Sequence, residues 1–412
     1  MKFWRHMLKW CLLILTLFPQ LAYAQLLLVR AGHVLDIENG IWKKNQTLLV
    51  REGRIVEVNP KSVPSKILEL DLSQNYLIPG LIDAHTHLLL EDPTYGKDFA
   101  KGLLDFYKNN TIEERHMLAN RRSHSLMKSG FTSVRDLGNS GSAYIAKLKK
   151  SDLRFYSSGA GHSPQMGQFP IGTEEKIVFD EYARLDDVSL SALKKSARST
   201  LKLYADEDPN GTKTDQLILK KWVSRGKELG MKVAAHAIYS SAIQASIEAG
   251  VDSIEHGTYA SIEQFKLMAT KKIYWVPSTG TQMLNDKKFA SMRSDHIPKE
   301  LNLLCQKIPE AYKMGVRIVF GSDNYFSLEK WGISFGEATL AALLFLHKCG
   351  LPAIEVIRAA TAYPSKLIGT SEIGRLEKGS WADFVVLKDD PLNDMASLAR
   401  PVGVYLGGVK TH

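Results

Sequence analysis

Ile78-Pro79-Gly80-Leu81-Ile82-Asp83-Ala84-His85-Thr86-His87-Leu88 is the stretch that decides how this 412-residue chain is read. Pro-Gly punctuates its start, Leu81 and Ile82 give it an apolar body, and two histidines stand at its far end. It reads as a short buried strand. Side chains alternate across a strand, so His85 and His87 point to the same side. Two imidazoles converging from one strand end make half of a metal site. A bare His-x-His is also compatible with a polar strand end carrying two solvated histidines. What decides between these readings is whether later strands end in matching ligands.

Working outward, the middle of the chain alternates strand-like and helix-length segments. Strand-like runs fall at 81–84, 132–134, 154–156, 201–204, 233–235, 253–255, 273–276 and 318–321. Thr111-Ile112-Glu113-Glu114 is a capping box that opens one helix, and 214–229, ended by Gly230, is another. Eight strands with intervening helices predict a (β/α)8 TIM-like barrel, whose active site lies at the C-terminal strand ends. The long irregular segment 159–187 falls at that face and reads as a substrate loop. Both chain ends have a different texture. Short strands at 26–30, 46–50 and 54–58, the last two joined by Glu52-Gly53, are matched by 382–387 and 402–406. Neither end has enough strands alone, which predicts one small β-sandwich domain built from both.

The ends of the barrel strands carry the chemistry. Strand 1 ends in His85 and His87, strand 5 in His236, strand 6 in His256 and strand 8 in Asp323, and strand 4 carries Lys202. Any one of these histidines alone reads as a hydrogen-bonded structural residue. Together, on one rim of one barrel, they read as a ligand set suited to zinc or a similar first-row ion. An ammonium cannot ligate, but a lysine deprotonated near cations can take up CO2 and become a bridging carbamate.

Composition bounds the remaining choices. Hydrophobic residues make up 44% and charged residues 24%, the balance of an ordinary globular protein. Lys2, Arg5 and Lys9, the apolar run 11–18 and Ala22-Tyr23-Ala24 read as a secretory signal peptide, which predicts an exported, periplasmic or secreted protein with no membrane span after its removal. Removal of that segment lowers the formal charge from +9 to +6, since three basic and no acidic residues leave with it. The remaining charge is dispersed, so no nucleic-acid partner is expected. Only Cys305 and Cys349 survive in the mature chain; both fall on predicted helices, and two buried free thiols are expected, although an oxidising compartment would permit a bridge.

At this point the chain resembles the amidohydrolase superfamily of metal-dependent hydrolases, in particular its imidazolonepropionase-like and Xaa-Pro dipeptidase-like branch. The resemblance covers 79–87, Thr132-Ser133-Val134-Arg135-Asp136, 250–257, Gly321-Ser322-Asp323, 359–366 and 374–383. Taken with the signal peptide at 1–24 and the two β-rich ends read above, it places the two parts of the sandwich at 25–78 and 371–412 and the barrel at 79–370. It also implies two divalent metal ions, Zn2+ foremost. One ion would take His85, His87 and Asp323, the other His236 and His256, with a CO2-derived carbamate on Lys202 bridging. By the same resemblance a metal-bridging hydroxide attacks the scissile carbonyl and Asp323, the catalytic residue, shuttles the proton.

Substrate contacts are where the chain departs from that branch. Where many relatives carry Thr-Gly-Gly-His after strand 3, this chain has Gln165-Met166-Gly167-Gln168, with His162 shortly before. Where dipeptidases often place Tyr two residues after the strand-5 histidine, it has Ile238, then Tyr239. Arg135, His162 and Tyr239 are the candidates for substrate binding; the alternative for Arg135 is a structural pair with Asp136 or a neighbouring carboxylate. The expected reaction is hydrolysis of an amide bond in a dipeptide or N-acyl amino acid, by an enzyme free to form a homo-oligomer. A cyclic-amide hydrolase or deaminase is the second reading, and a non-catalytic binding protein on the same fold the third.

Overall fold

The computed structural model describes residues 26–95, 97–138, 152–159, 161–162, 200–206, 215–278 and 297–412. The expected signal peptide, most of the expected substrate loop and 165–168 lie outside the described residues.

The chain opens with β1 (Leu27–Asp36), β2 (Ile41–Arg51), β3 (Arg54–Val58) and β4 (Leu68–Pro79). The barrel strands follow: β5 (Leu81–Thr86), β6 (Phe131–Asp136), β7 (Arg154–Ser157), β8 (Gly161–His162), β9 (Thr200–Tyr204), β10 (Lys232–Ala237), β11 (Ser253–His256) and β12 (Tyr274–Val276). β13 (Phe384–Leu387), β14 (Gly403–Leu406) and β15 (Val409–Lys410) return to the first domain. That domain is one seven-stranded sheet in the order β15-β14-β13-β4-β1-β2-β3. Its far edge folds back on the stretch before β13: Ile55 N–H donates to Ser380 O at 2.9 Å, and Ala382 N–H to Gly53 O at 2.8 Å. The sandwich is therefore the two halves of one rolled sheet, packed across Val29, Leu48, Ile55, Leu77 and Phe384.

β4 runs straight into β5, with only Gly80 between them. No side chain fits at that junction, because a Cβ on Gly80 would meet Thr132 Oγ1 at 2.1 Å. β5 and β6 are buried along their whole length, as parallel strands covered on both faces must be. β5 pairs with β6 and β6 with β7, all parallel, while β8 to β12 form a second parallel run. Strand 3 of the barrel is split into β7 and β8 around Gly159, which adopts φ +67°, so its first half serves β6 and its second half β9.

The expected eighth strand is less regular than its neighbours. Segment 317–324 makes ladder bonds to both sides: Val319 N–H donates to Trp275 O at 2.8 Å and Ala84 N–H to Phe320 O at 3.0 Å. Those bonds link β12 to β5 and complete the ring of a (β/α)8 barrel. Helices cover it, among them α1 (Ile112–Lys128), opened by the Thr111/Glu114 capping box read from sequence, and α2 (Gln216–Glu228), capped by Asp215 and followed by Gly230 at φ +70°. The barrel and the rolled sheet are clamped at Arg154. Its guanidinium donates to both oxygens of buried Asp383 at 3.1 Å and lies 3.9 Å over the ring of Trp381.

One expectation is overturned. Cys305, on α3 (Ile297–Lys313), and Cys349, which caps α4 (Phe335–Lys348), are bridged and not free. Packing of the two helices brings their Cα atoms to 4.8 Å, inside the range a disulfide spans. Helix assignment alone carries no information about that approach. Because the bridge closes a separation of 44 residues, its reduction should remove about 3–4 kcal/mol of stability by the chain-entropy model. Guanidinium unfolding with and without dithiothreitol measures this directly; coincident midpoints would show that the bridge contributes nothing.

Candidate metal centre

β5 delivers His85 near its end and His87 one residue beyond, with ring centroids 5.4 Å apart. From the other side of the closure, Asp323 Oδ1 stands 2.9 Å from His87 Nε2 and 3.5 Å from His85 Nε2. One ligand atom from each of these three buried residues lies within 4.8 Å of the others. β9 adds Lys202, whose Nζ is 3.4 Å from His85 Nε2. The His256 ring stands 5.3 Å from that of His85 and 4.5 Å from that of His236. The structure thus brings all six residues singled out at the strand ends to one place.

Two of them get there through unusual backbone. His256 has φ +69° and Asp323 φ +51°, the left-handed region that non-glycine residues rarely occupy and that costs on the order of 1 kcal/mol or more. At His256 the turn is held by Trp275, whose Nε1–H donates to the His256 carbonyl at 2.7 Å. Next to it, Gly257 also has positive φ, and a Cβ there would lie 2.5 Å from the same indole nitrogen. His256 Nδ1 is 2.6 Å from the Ser278 carbonyl, which can only accept, so the proton sits on Nδ1 and Nε2 is left with a free lone pair. At Asp323 the turn is held by the chain's own ladder, Asp323 N–H donating to His85 O at 2.6 Å.

Behind Asp323 and His85 lies Asp83, fully buried. It accepts from Ser322 N–H at 2.9 Å, from Ser322 Oγ–H at 2.6 Å and from His85 N–H at 3.2 Å. Burial pushes its carboxyl up to about 7 despite those donors. Gly321 allows the approach, since a Cβ there would meet His85 Cβ at 2.6 Å.

Electrostatics fit a cation. Burial, with Lys202 nearby, keeps His85 well below the usual imidazole range; burial and His256 do the same for His236, and burial lowers His256. Neutral imidazoles are what a metal needs. Burial works to raise Asp323, but the His85 and His87 imidazoles outweigh it and hold the carboxylate ionised. Burial also pulls the Lys202 ammonium down to about 8. Three or four imidazoles with one carboxylate are the donors that zinc-like ions take, and here they converge from four separate strand ends.

The candidates for substrate contact are placed differently. Arg135 is fully buried; its Nε–H donates to Ala84 O at 2.6 Å and its Nη2 to Glu255 Oε1 at 3.0 Å. It is thus the structural pair with a neighbouring carboxylate that the sequence allowed, and that carboxylate belongs to Glu255. His162 is buried on β8, in register with Leu203. Tyr239 is partly exposed and lies flat against Tyr259, with centroids 5.4 Å apart. Asp206 fixes the start of that loop by accepting from Ile238 N–H and Tyr239 N–H. Sequence reasoning missed Asp83, Trp275 and Glu255. For Glu255 there was a signal, because an acidic residue inside a buried strand must have a partner.

A parallel barrel whose strand ends gather histidines, an aspartate and a lysine defines a class, the metal-dependent barrel hydrolases. The chain belongs to the amidohydrolase family, whose pattern matches residues 76–410. Ochratoxinase of Aspergillus niger is 25% identical over 407 residues, covering 88% of this chain and 81% of the enzyme. Imidazolonepropionase of Clostridium tetani is 24% identical over 392 residues, covering 86% of each. A solved Xaa-Pro dipeptidase with methionine in its active site superposes with a TM-score of 0.74 at 22% identity, covering 94% of this chain and 99% of that one. The protein is therefore a hydrolytic enzyme of this family, and His85, His87 and Asp323 form a candidate metal-binding triad.

The contact at Gly321 yields a test. Gly321→Ala forces apart β5 and the closing segment and should cost about 1–3 kcal/mol, the usual range for overpacking. It should also weaken Zn2+ binding, because His85 and Asp323 separate together. Thermal melts and Zn2+ titration of the variant would read both effects. Native values in both would mean that the closure tolerates a methyl group and does not set the site.

Proposed function

We propose that the protein hydrolyses an amide C–N bond in dipeptides or N-acyl amino acids, using a binuclear metal centre. The observation that carries this reading is the convergence of His85, His87 and Asp323 with Lys202 Nζ only 3.4 Å from His85 Nε2. His85, His87 and Asp323 would hold one divalent ion and His236 and His256 the other. Lys202, neutral amine within reach once its pKa is near 8, would carry the bridging carbamate. When bound, the ions supply Lewis-acid polarisation of the scissile carbonyl and an activated water.

The rest is done by the chain's own groups. Asp323, held ionised among the imidazoles, accepts a proton at Oδ1 or Oδ2 and returns it to the leaving amine. Its carboxylate stands 2.9 Å from His87 Nε2 on backbone in the left-handed region. Tyr239, and His162 where a substrate reaches it, are the polar groups left to orient a substrate carboxylate; Arg135, occupied by Glu255, is not among them. The similarity to ochratoxinase, imidazolonepropionase and a Xaa-Pro dipeptidase supports a hydrolase of C–N bonds. The leader-like start of the chain and the Cys305–Cys349 bridge both support an exported protein, periplasmic or secreted.

Zn2+-loaded protein tested on a panel of dipeptides, N-acyl amino acids and small lactams or imidazolones separates the readings. Cleavage of the open-chain amides is expected; turnover of the rings alone would replace this proposal with a cyclic-amide hydrolase. Asp323→Asn should keep the fold but lower kcat by about a hundredfold or more, because an amide cannot accept and return a proton at neutral pH. Near-native kcat in the metal-loaded variant would remove Asp323 from that role. Dialysis against a strong chelator should abolish turnover, and Zn2+ should restore it.

A further inference from the structure

We propose that Glu255, braced by Arg135, is a positioning residue that fixes the tautomer of His85 and so makes its Nε2 a metal ligand. The inference rests on the metal reading above and assigns a role to two residues that bind neither metal nor substrate.

The argument begins with the strand. On β11, Ser253 and Glu255 are two apart and share a face, while simple alternation would send His256 to the other side. The φ of +69° at His256 breaks that alternation, so Glu255 and His256 both serve the barrel interior. Glu255 Oε2 stands 2.9 Å from His85 Nδ1, with both residues buried. Its other oxygen, Oε1, accepts from Arg135 Nη2 at 3.0 Å and from Ser253 Oγ–H at 2.5 Å. Arg135 is tied in turn to Ala84 O, one residue before His85, at 2.6 Å. A closed loop of contacts therefore runs from Ala84 through Arg135 and Glu255 to the His85 ring.

Only one tautomer suits this arrangement. Glu255 Oε2 approaches Nδ1 obliquely and makes no well-aligned hydrogen bond, but a carboxylate oxygen 2.9 Å away can only accept, so it favours a proton over a lone pair on that nitrogen. Ser278 Oγ, 3.3 Å from the same nitrogen, donates its one proton to the Val276 carbonyl at 3.4 Å, which leaves it an acceptor for a proton on Nδ1. With the proton on Nδ1, the lone pair is on Nε2, which faces Asp323 and Lys202. The nearby anion also raises the basicity of the ring as a ligand. Arg135 Nη2 pairs with Glu255 Oε1 at 3.0 Å with both side chains buried, and neither charge could be removed alone without leaving the other unpaired.

The test uses Glu255→Gln, isosteric and uncharged. Zn2+ affinity, measured by competition with a chromogenic chelator, should fall about 10- to 100-fold. In turnover, kcat should fall with KM little changed, as expected of a residue that acts through a ligand and not on substrate. Long-range 1H–15N spectra of the metal-free protein should show His85 protonated on Nδ1 in the wild type and as a tautomer mixture in the variant. A purely structural role would leave that signature unmoved. Should E255Q misfold because Arg135 is stranded, the double variant R135M/E255Q removes both charges and is expected to show the same loss of affinity and the same tautomer change. Unchanged Zn2+ affinity and an unchanged His85 tautomer in a folded variant would overturn the proposal. Wild-type protein that binds no Zn2+ would sink the metal reading instead, and the tautomer comparison would then decide the role of Glu255 by itself.

Discussion

The contact on which the rest depends is the tie between the first and last turns of the barrel, made by the carboxylate of Asp83. It holds Ser322 by backbone and hydroxyl together and steadies the backbone of His85. Segment 317–324 is too irregular to be fixed by a full ladder, so closure at this seam depends on such side-chain bonds. Without closure, His85 and His87 would face a gap where Asp323 now stands. The cost is visible in the same residue: Asp83 is so deeply buried that its carboxyl is pushed up to about 7, even with three donors around it. A fully buried carboxylate is retained where its hydrogen bonds specify an arrangement that apolar packing could not.

Strain follows from the same demand. Strand geometry offers only alternate residues to the interior, yet the candidate centre draws on the residue directly after Glu255 and on the one directly after Ser322. Left-handed backbone at His256 and Asp323 supplies the extra turn in both cases. Each turn is held by bonds to a neighbouring strand, Trp275 for one and His85 for the other. At these two metal-competent residues the backbone is strained, so packing energy from the barrel is converted into the direction in which a ring or carboxylate points.

Much of this was legible in the chain itself, for definite reasons. The alternation of strand and helix, the capping box at Thr111 and the histidines at strand ends are local patterns, and local patterns survive into the fold. The bond network behind the centre is not local. Arg135 and Glu255 are 120 residues apart, and the sequence gives each only as a charge in a buried strand that needs some partner. The Cys305–Cys349 bridge depended on a helix contact that no spacing encodes. β4 was missed because its residues 68–72 alternate cleanly but lead into Pro79-Gly80, which reads as a turn although the chain passes straight from β4 into β5. The split of strand 3 at Gly159 and the looseness of strand 8 are likewise tertiary effects imposed by closure.

Charge balance gives an independent reason for the proposed modification of Lys202. Glu255 and Arg135 cancel each other, which leaves Asp323 and Lys202 as the charged side chains nearest the four imidazoles. Two divalent ions would bring four positive charges into that buried volume against a single carboxylate. An ammonium 3.4 Å from a ligating nitrogen would add a fifth, at a distance where like charges repel strongly in a low-dielectric interior. Conversion of the ammonium to a carbamate, by uptake of CO2 and release of two protons, would change the local charge by two in the favourable direction and replace a group that cannot ligate with one that can. The lowered pKa of Lys202 makes the neutral amine accessible, and on the proposed reading bound cations would make its anionic adduct the stable state. On this reading the lysine is buried beside histidines because it is not meant to remain a lysine, and occupancy of the metal pair and carboxylation of Lys202 are one coupled equilibrium.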